Sequence, residues 1–227
     1  MHAATQNARL LLLEQSGLTN YRFLRQLLAG PGTTAAGLKP LKVALLSSFS
    51  IEFLHDALIA FGFANGLQIT IYQPGFGQIR QELLDPASGL YAFAADVAIV
   101  AVEGEDWLPE VYKDFMDADA QCAGPIAAIQ RFEQDMMNLL QAFRAASSCP
   151  VLLHNLAPPR LRRAGIADAR LFSSQAQLVA KANASLAAVA AAVIDIHHVD
   201  YAALVARHGL NNWYDARLRL YARAPIA

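Results

Sequence analysis

The chain has 227 residues, 55% of them hydrophobic and 16% charged, enough for one well-filled core and short for two. Lys and Arg number 18 against 19 Asp and Glu, a net charge of -1, so no global field gathers polyanions or anionic lipid, and neither nucleic acid nor a membrane is an expected partner. Two cysteines without metal-ligand spacing read as reduced thiols, and an amino terminus too polar for an export signal points to the cytoplasm.

Residues Ala8 to Leu28 carry two helical patterns joined at Ser16-Gly17-Leu18-Thr19-Asn20, and Gly30-Pro31-Gly32-Thr33-Thr34 ends the run. Residues 1–38 are therefore expected to form a helical lead-in packed on a sheet supplied by residues 39–227. Five short apolar runs follow: Leu41 to Ser47, Leu67 to Tyr72, Asp96 to Val102, Cys149 to Asn155 and Val193 to His197. They are continuous rather than alternating, the pattern of parallel strands covered on both faces. Helical periodicity separates them at Ile51 to Asn65, Gly77 to Leu84, Pro125 to Ser147 and Ser174 to Ala192, with Tyr201 to His208 after the last strand. The predicted fold class is α/β: a three-layer α/β/α sandwich around a five-stranded, mostly parallel sheet.

In such a sheet ligands bind beyond the carboxyl ends of the strands, so the chemistry belongs in the loops that follow them. The first, Ser47-Ser48-Phe49-Ser50, offers Ser48 and Ser50 as nucleophiles, yet no base adjoins them, and Ser50 is better placed to cap the following helix. After the second strand, Gln73-Pro74-Gly75-Phe76-Gly77-Gln78 is a turn without phosphate-loop spacing. Asp85-Pro86-Ala87-Ser88 reads first as a turn, with Asp85 and Ser88 as ligand contacts second. Glu103, Glu105 and Asp106 end the third strand, where they either bind a hard cation or are merely hydrated; lacking a second acidic set, the chain is expected to hold no metal. The fourth strand ends in His154 and Asn155, read as a buried hydrogen-bonded pair with substrate contact as the sharper alternative. Arg160, Arg162 and Arg163 make a local positive face suited to a phosphate or an acidic partner. His197 and His198, adjacent on an extended segment, point to opposite faces and cannot share a metal. Asp215 either caps the last short helix or pairs with Arg217.

Four blocks together resemble the amino-terminal SGNH-hydrolase-like domain of FkbH-type proteins, multidomain members of the haloacid-dehalogenase superfamily. These are Leu45-Leu46-Ser47-Ser48-Phe49-Ser50, Asp85-Pro86-Ala87-Ser88-Gly89-Leu90-Tyr91-Ala92-Phe93, Leu156-Ala157-Pro158-Pro159, and Trp213-Tyr214-Asp215-Ala216-Arg217 with Ala222-Arg223-Ala224-Pro225. The resemblance implies an SGNH-hydrolase or flavodoxin-like sheet, followed in the parent protein by a phosphatase-like domain, absent from these 227 residues, that uses Mg and transfers a glyceryl group to an acyl carrier protein in polyketide biosynthesis. No cofactor is expected in this chain itself. Active SGNH esterases carry Gly-Asp-Ser and Asp-x-x-His blocks; here Phe49 stands where the nucleophile falls and Leu218 where the base falls. The leading expectation is therefore a noncatalytic or degenerate module serving carrier docking, gating or homodimerisation. The rival is an esterase or acyltransferase using Ser48 or Ser50 with His154, His197 or His198 as base, oriented by Asp215 or Asp200. A flavodoxin-like ligand-binding domain is a third.

Overall fold

The five apolar runs become five parallel strands in the computed structural model: β1 (Lys39–Ser47), β2 (Leu67–Tyr72), β3 (Val97–Ala101), β4 (Val151–His154) and β5 (Ile196–Val199). They lie side by side in the order β2-β1-β3-β4-β5, with Val43 opposite both Ile71 and Val97, and Leu152 opposite His197. The structure describes residues 2–14, 17–29, 37–75, 77–117, 121–171 and 173–224; the Gly30 to Thr34 break, Phe76 and Pro225 lie outside them.

The lead-in forms α1 (His2–Glu14) and α2 (Leu18–Ala29), and α3 (Glu52–Ala64) follows β1. Beyond β2 come α4 (Ile79–Leu84) and α5 (Gly89–Phe93), and beyond β3 the single turns α6 (Gly104–Trp107) and α7 (Pro109–Tyr112). The long helices α8 (Ala123–Ala146) and α9 (Gln175–Ala192) bracket β4, and α10 (Tyr201–His208), α11 (Leu210–Trp213) and α12 (Ala216–Ala222) follow β5. No helix among the described residues is long and apolar enough to cross a membrane.

Alternate strand residues serve opposite faces, as a pleated backbone requires. Ala44, Leu46, Ala98, Val100, Val151 and Leu153 join the core built with Ile129, Phe132, Met136 and Leu140 of α8 and Leu178, Ala182 and Leu186 of α9. Val43 and Leu45 face the other way, where Ile51, Leu58, Val97 and Ile99 cover them. Helical spacing on α8 and α9 puts each apolar stripe on one side, and a capping box in which Ser174 and Gln177 exchange hydrogen bonds starts α9.

Two expectations shift. The last strand begins at Ile196 instead of Val193, because Val193 closes α9 and Asp195 turns the chain in a left-handed conformation with φ 55°. The lead-in rests mainly on α3: Ala8, Leu12 and Leu24 meet Ala60, Phe63 and Ala64. Arg22 and Arg25 also clasp the buried Asp56 of α3 at 3.3 and 2.6 Å.

Candidate functional site

Just beyond β1, Ser48 still follows the sheet, its N–H donating to the Ala101 carbonyl at 3.0 Å. The buried Ser48 Oγ accepts the Glu103 N–H at 2.8 Å, tying the end of β1 to the end of β3. Ser47 Oγ likewise accepts the Phe49 N–H, and Phe49 is buried in the α3-side layer. Ser50 does not cap α3 as expected. The N-cap position falls to Ile51, whose burial in that layer sets the turn, while the Ser50 N–H donates to the Arg223 carbonyl at 2.9 Å. Apolar burial here wins over the hydroxyl cap.

The end of β3 carries the electrostatic centre. Arg219 reaches across from α12 to Glu105 at 2.7 Å, Glu103 at 3.8 Å and Asp106 at 3.9 Å, and its guanidinium also donates to the Tyr214 hydroxyl at 3.4 Å. Burial pushes the Glu103 carboxyl up to about 7; Arg219 pulls it down, and Glu105 and Asp106 push it further up. The acidic run is thus answered by an arginine. Among the described residues no group of three or more His, Cys, Asp and Glu side chains is placed to hold a metal. Sequence reasoning missed Arg219 because nothing local links a helix residue to a strand end more than a hundred positions earlier. Gly104 is needed at the start of α6 because the Tyr112 ring lies where a β-carbon would stand.

At the end of β4, His154 Nδ1 donates to the Asn155 carbonyl at 2.6 Å, which fixes the tautomer. The ring lies 4.6 Å from that of Tyr201, and burial pulls its pKa down, so it is neutral near pH 7. Asn155 is buried; it donates to Asp200 at 2.8 Å and accepts the Ala202 N–H at 2.7 Å, stapling the start of α10 to the sheet. Asp200 also accepts the Ala203 N–H, capping α10, and these bonds hold its carboxyl below the usual range. Asp215 takes the capping alternative at α12: its carboxylate accepts the Leu218 and Arg217 N–H groups, which lower its pKa, and the Arg217 side chain is exposed.

Two crevices open on this edge. One, of about 470 Å³, runs between Glu103, Tyr112, Pro158 to Arg163, Tyr201 and Trp213. The other, of about 490 Å³, is lined by Ser48 and Phe49 with Lys113, Arg219, Leu220 and Arg223. They share Glu103, Glu105, Tyr214 and Ala216. No histidine lines either one among the described residues. Ser50 opens instead onto a separate 150 Å³ cavity beside Gln73, Pro74 and Gly75.

The candidate residues therefore scatter. His197 and His198 are exposed on β5, at the edge of the sheet, and face neither serine's cavity. Asp85 accepts the Ala87 N–H and Ser88 donates to the Glu82 carbonyl, so both serve the turn between α4 and α5. That turn rests on Glu82, which accepts from Tyr72 and from the Leu90 N–H, and Tyr72 is pushed up to about 12 by burial and by this carboxylate.

Comparison with known proteins places the fold. Among solved structures, the N-terminal part of the protein BF1531 from Bacteroides fragilis, described as containing a phosphatase domain complexed with Mg, superposes with a TM-score of 0.71 at 17% identity. The match covers 91% of this chain and 52% of that one, so the chain spans about half that structure's length. A protein described as a GDSL-like lipase, from Parabacteroides merdae, superposes with a TM-score of 0.46 at 16% identity over 83% of this chain and 88% of its own. No curated protein matches. Residues 42–227 match the family model described as FkbH, N-terminal domain, and the chain belongs to that family.

Proposed function

We propose that this domain is a noncatalytic SGNH-like module that docks an acyl carrier protein for a longer FkbH-type protein, whose phosphatase-like part performs glyceryl transfer with Mg. The observation that carries the reading is Ser48: its Oγ is buried, holds the Glu103 N–H, and meets no imidazole in its crevice. A serine without a positioned base lacks the activation that makes its hydroxyl nucleophilic. The side chain at the base position, Leu218, cannot supply it.

The docking face is the loop after β4. Arg160, Arg162, Arg163 and Arg170 alternate there with Leu161 and Ile166, which are 78% and 99% exposed. Its acidic residue Asp168 is fully buried, where it accepts the Gln175 N–H, so the face presented outward is cationic with apolar knobs. That chemistry suits an acidic, partly apolar partner surface and favours fast encounter.

Turnover of short-chain p-nitrophenyl esters by wild type, Ser48→Ala and Ser50→Ala tests the noncatalytic half. No turnover in any form is expected; activity abolished by one serine change overturns it. Replacing Arg160, Arg162 and Arg163 by Gln tests docking, since carrier affinity is expected to fall and to lose its salt dependence. Unchanged affinity removes the docking assignment.

A further inference from the structure

The 470 Å³ crevice has a built interior that docking leaves unused. Its walls are the rings of Tyr112, Tyr201, Trp213 and Tyr214 with Pro158 and Pro159. These walls are braced. Trp213 Nε1 donates to the Tyr201 hydroxyl at 2.8 Å, and the two rings meet edge to face with centroids 5.8 Å apart. The Tyr112 hydroxyl donates to the Ala157 carbonyl at 2.7 Å. Three arginines border the mouth, and two are engaged: Arg162 lies 3.6 Å from the buried Asp168, and Arg163 Nε donates to the Tyr112 carbonyl at 3.3 Å. Arg160 is different. Its guanidinium lies over the Tyr214 ring, 5.7 Å from the centroid, and among the described residues its nearest acidic influence is a coulombic one on Asp215, with no ion pair formed.

We propose that this crevice binds an organic anion with an apolar or aromatic body, its carboxylate or phosphate held by Arg160 and its body lying between the rings. A planar guanidinium presents paired N–H donors that match either anion, and the stack on Tyr214 orients the fork before the ligand arrives. The volume falls within the range of about 300–1,000 Å³ typical of small-molecule sites. Apolar walls, here four aromatic rings beside prolines and aliphatic side chains, with a few convergent polar groups are the usual composition of such sites. A purely apolar ligand leaves the fork unused; Glu103 and Glu105 also line the crevice, so the anionic group belongs at the arginine side and not against these carboxyls. Glu103 in turn offers its carboxyl to a hydroxyl or amide of the ligand.

Calorimetric titration of the intact chain tests this with phenyl phosphate, phenylpropionate, uncharged phenylpropanol and inorganic phosphate. Both organic anions are expected to bind with millimolar or better affinity, and the alcohol and inorganic phosphate about tenfold more weakly. Arg160→Gln is expected to weaken both anions by about tenfold and leave the alcohol unchanged. Arg80→Gln, which alters an arginine stacked on Trp107 in a different crevice, is expected to change nothing. Absence of anion binding, equal binding of the alcohol or of inorganic phosphate, or full affinity in Arg160→Gln overturns the proposal. Because free probes read the site with no carrier protein present, the docking assignment stands or falls separately.

Discussion

Replacing Glu103 by Gln is expected to stabilise the protein at alkaline pH. In the folded chain burial raises this carboxyl from 4.5 to about 7, and its side chain is only 20% exposed, so solvent screening removes little of the effect. A displacement of that size corresponds to about 3 kcal/mol, at about 1.4 kcal/mol for each tenfold change in proton affinity. The native state binds the proton more tightly than the unfolded chain. Stability therefore falls as pH rises from about 4.5 to about 7, and above that the whole cost of an ionised, poorly solvated carboxylate is present. Glutamine keeps the shape and cannot ionise. It forfeits the long 3.8 Å approach of Arg219, which pairs more closely with Glu105 at 2.7 Å, and a weaker attraction to Lys113. Urea unfolding of both proteins from acidic to alkaline pH measures the difference directly. Near the acidic end the two should agree. At the alkaline end the variant should be more stable by about 2–3 kcal/mol, a rise of roughly 4–12 °C in melting temperature for a chain of this size. Parallel pH profiles, or a variant less stable than wild type above neutrality, refute the assignment of a raised, buried Glu103.

Gly104→Ala drives a methyl into the Tyr112 ring and should cost about 1–3 kcal/mol in thermal unfolding, with the near-ultraviolet tyrosine signal altered. Asn155→Ala strands the Ala202 N–H at the start of α10 and should cost about 1–3 kcal/mol, with increased proteolysis after β5 as a second readout. Cys149 is buried and burial pushes its thiol up, so alkylation near neutral pH should be slow in the native protein and rapid in denaturant.

Most of the fold was legible because it rests on local periodicity. The continuous apolar runs marked the strands to within a few residues, and β2 and α10 fall where the pattern puts them. Turn chemistry was legible for the same reason: the Asp85 turn and the Asp215 cap are decided within three residues. What escaped was decided by distant neighbours. The Ser50 cap failed because Ile51 packs under the sheet, and α6 and α7 are too short for periodicity to reveal. The ring wall of the crevice brings Tyr112 beside Tyr201 and Trp213 from separate connections, a juxtaposition no spacing rule encodes. His197 was legible as a residue type but its place was not, since only the sheet order puts it on the outer edge.

Arg219 answering three carboxylates also constrains how this domain can diverge. A lineage that loses the arginine first leaves Glu103, Glu105 and Asp106 crowded together with only the weaker attraction of Lys113, and one that loses the acids first leaves a half-buried guanidinium without its ion pairs. Neither order is neutral for the closest pair, so Arg219 and Glu105, 2.7 Å apart, should drift together, whereas Glu103, 3.8 Å away and costly when ionised, is free to become neutral alone. In an alignment of relatives Arg219 and Glu105 should appear as coupled columns, with neutral residues replacing both at once where the charge is absent.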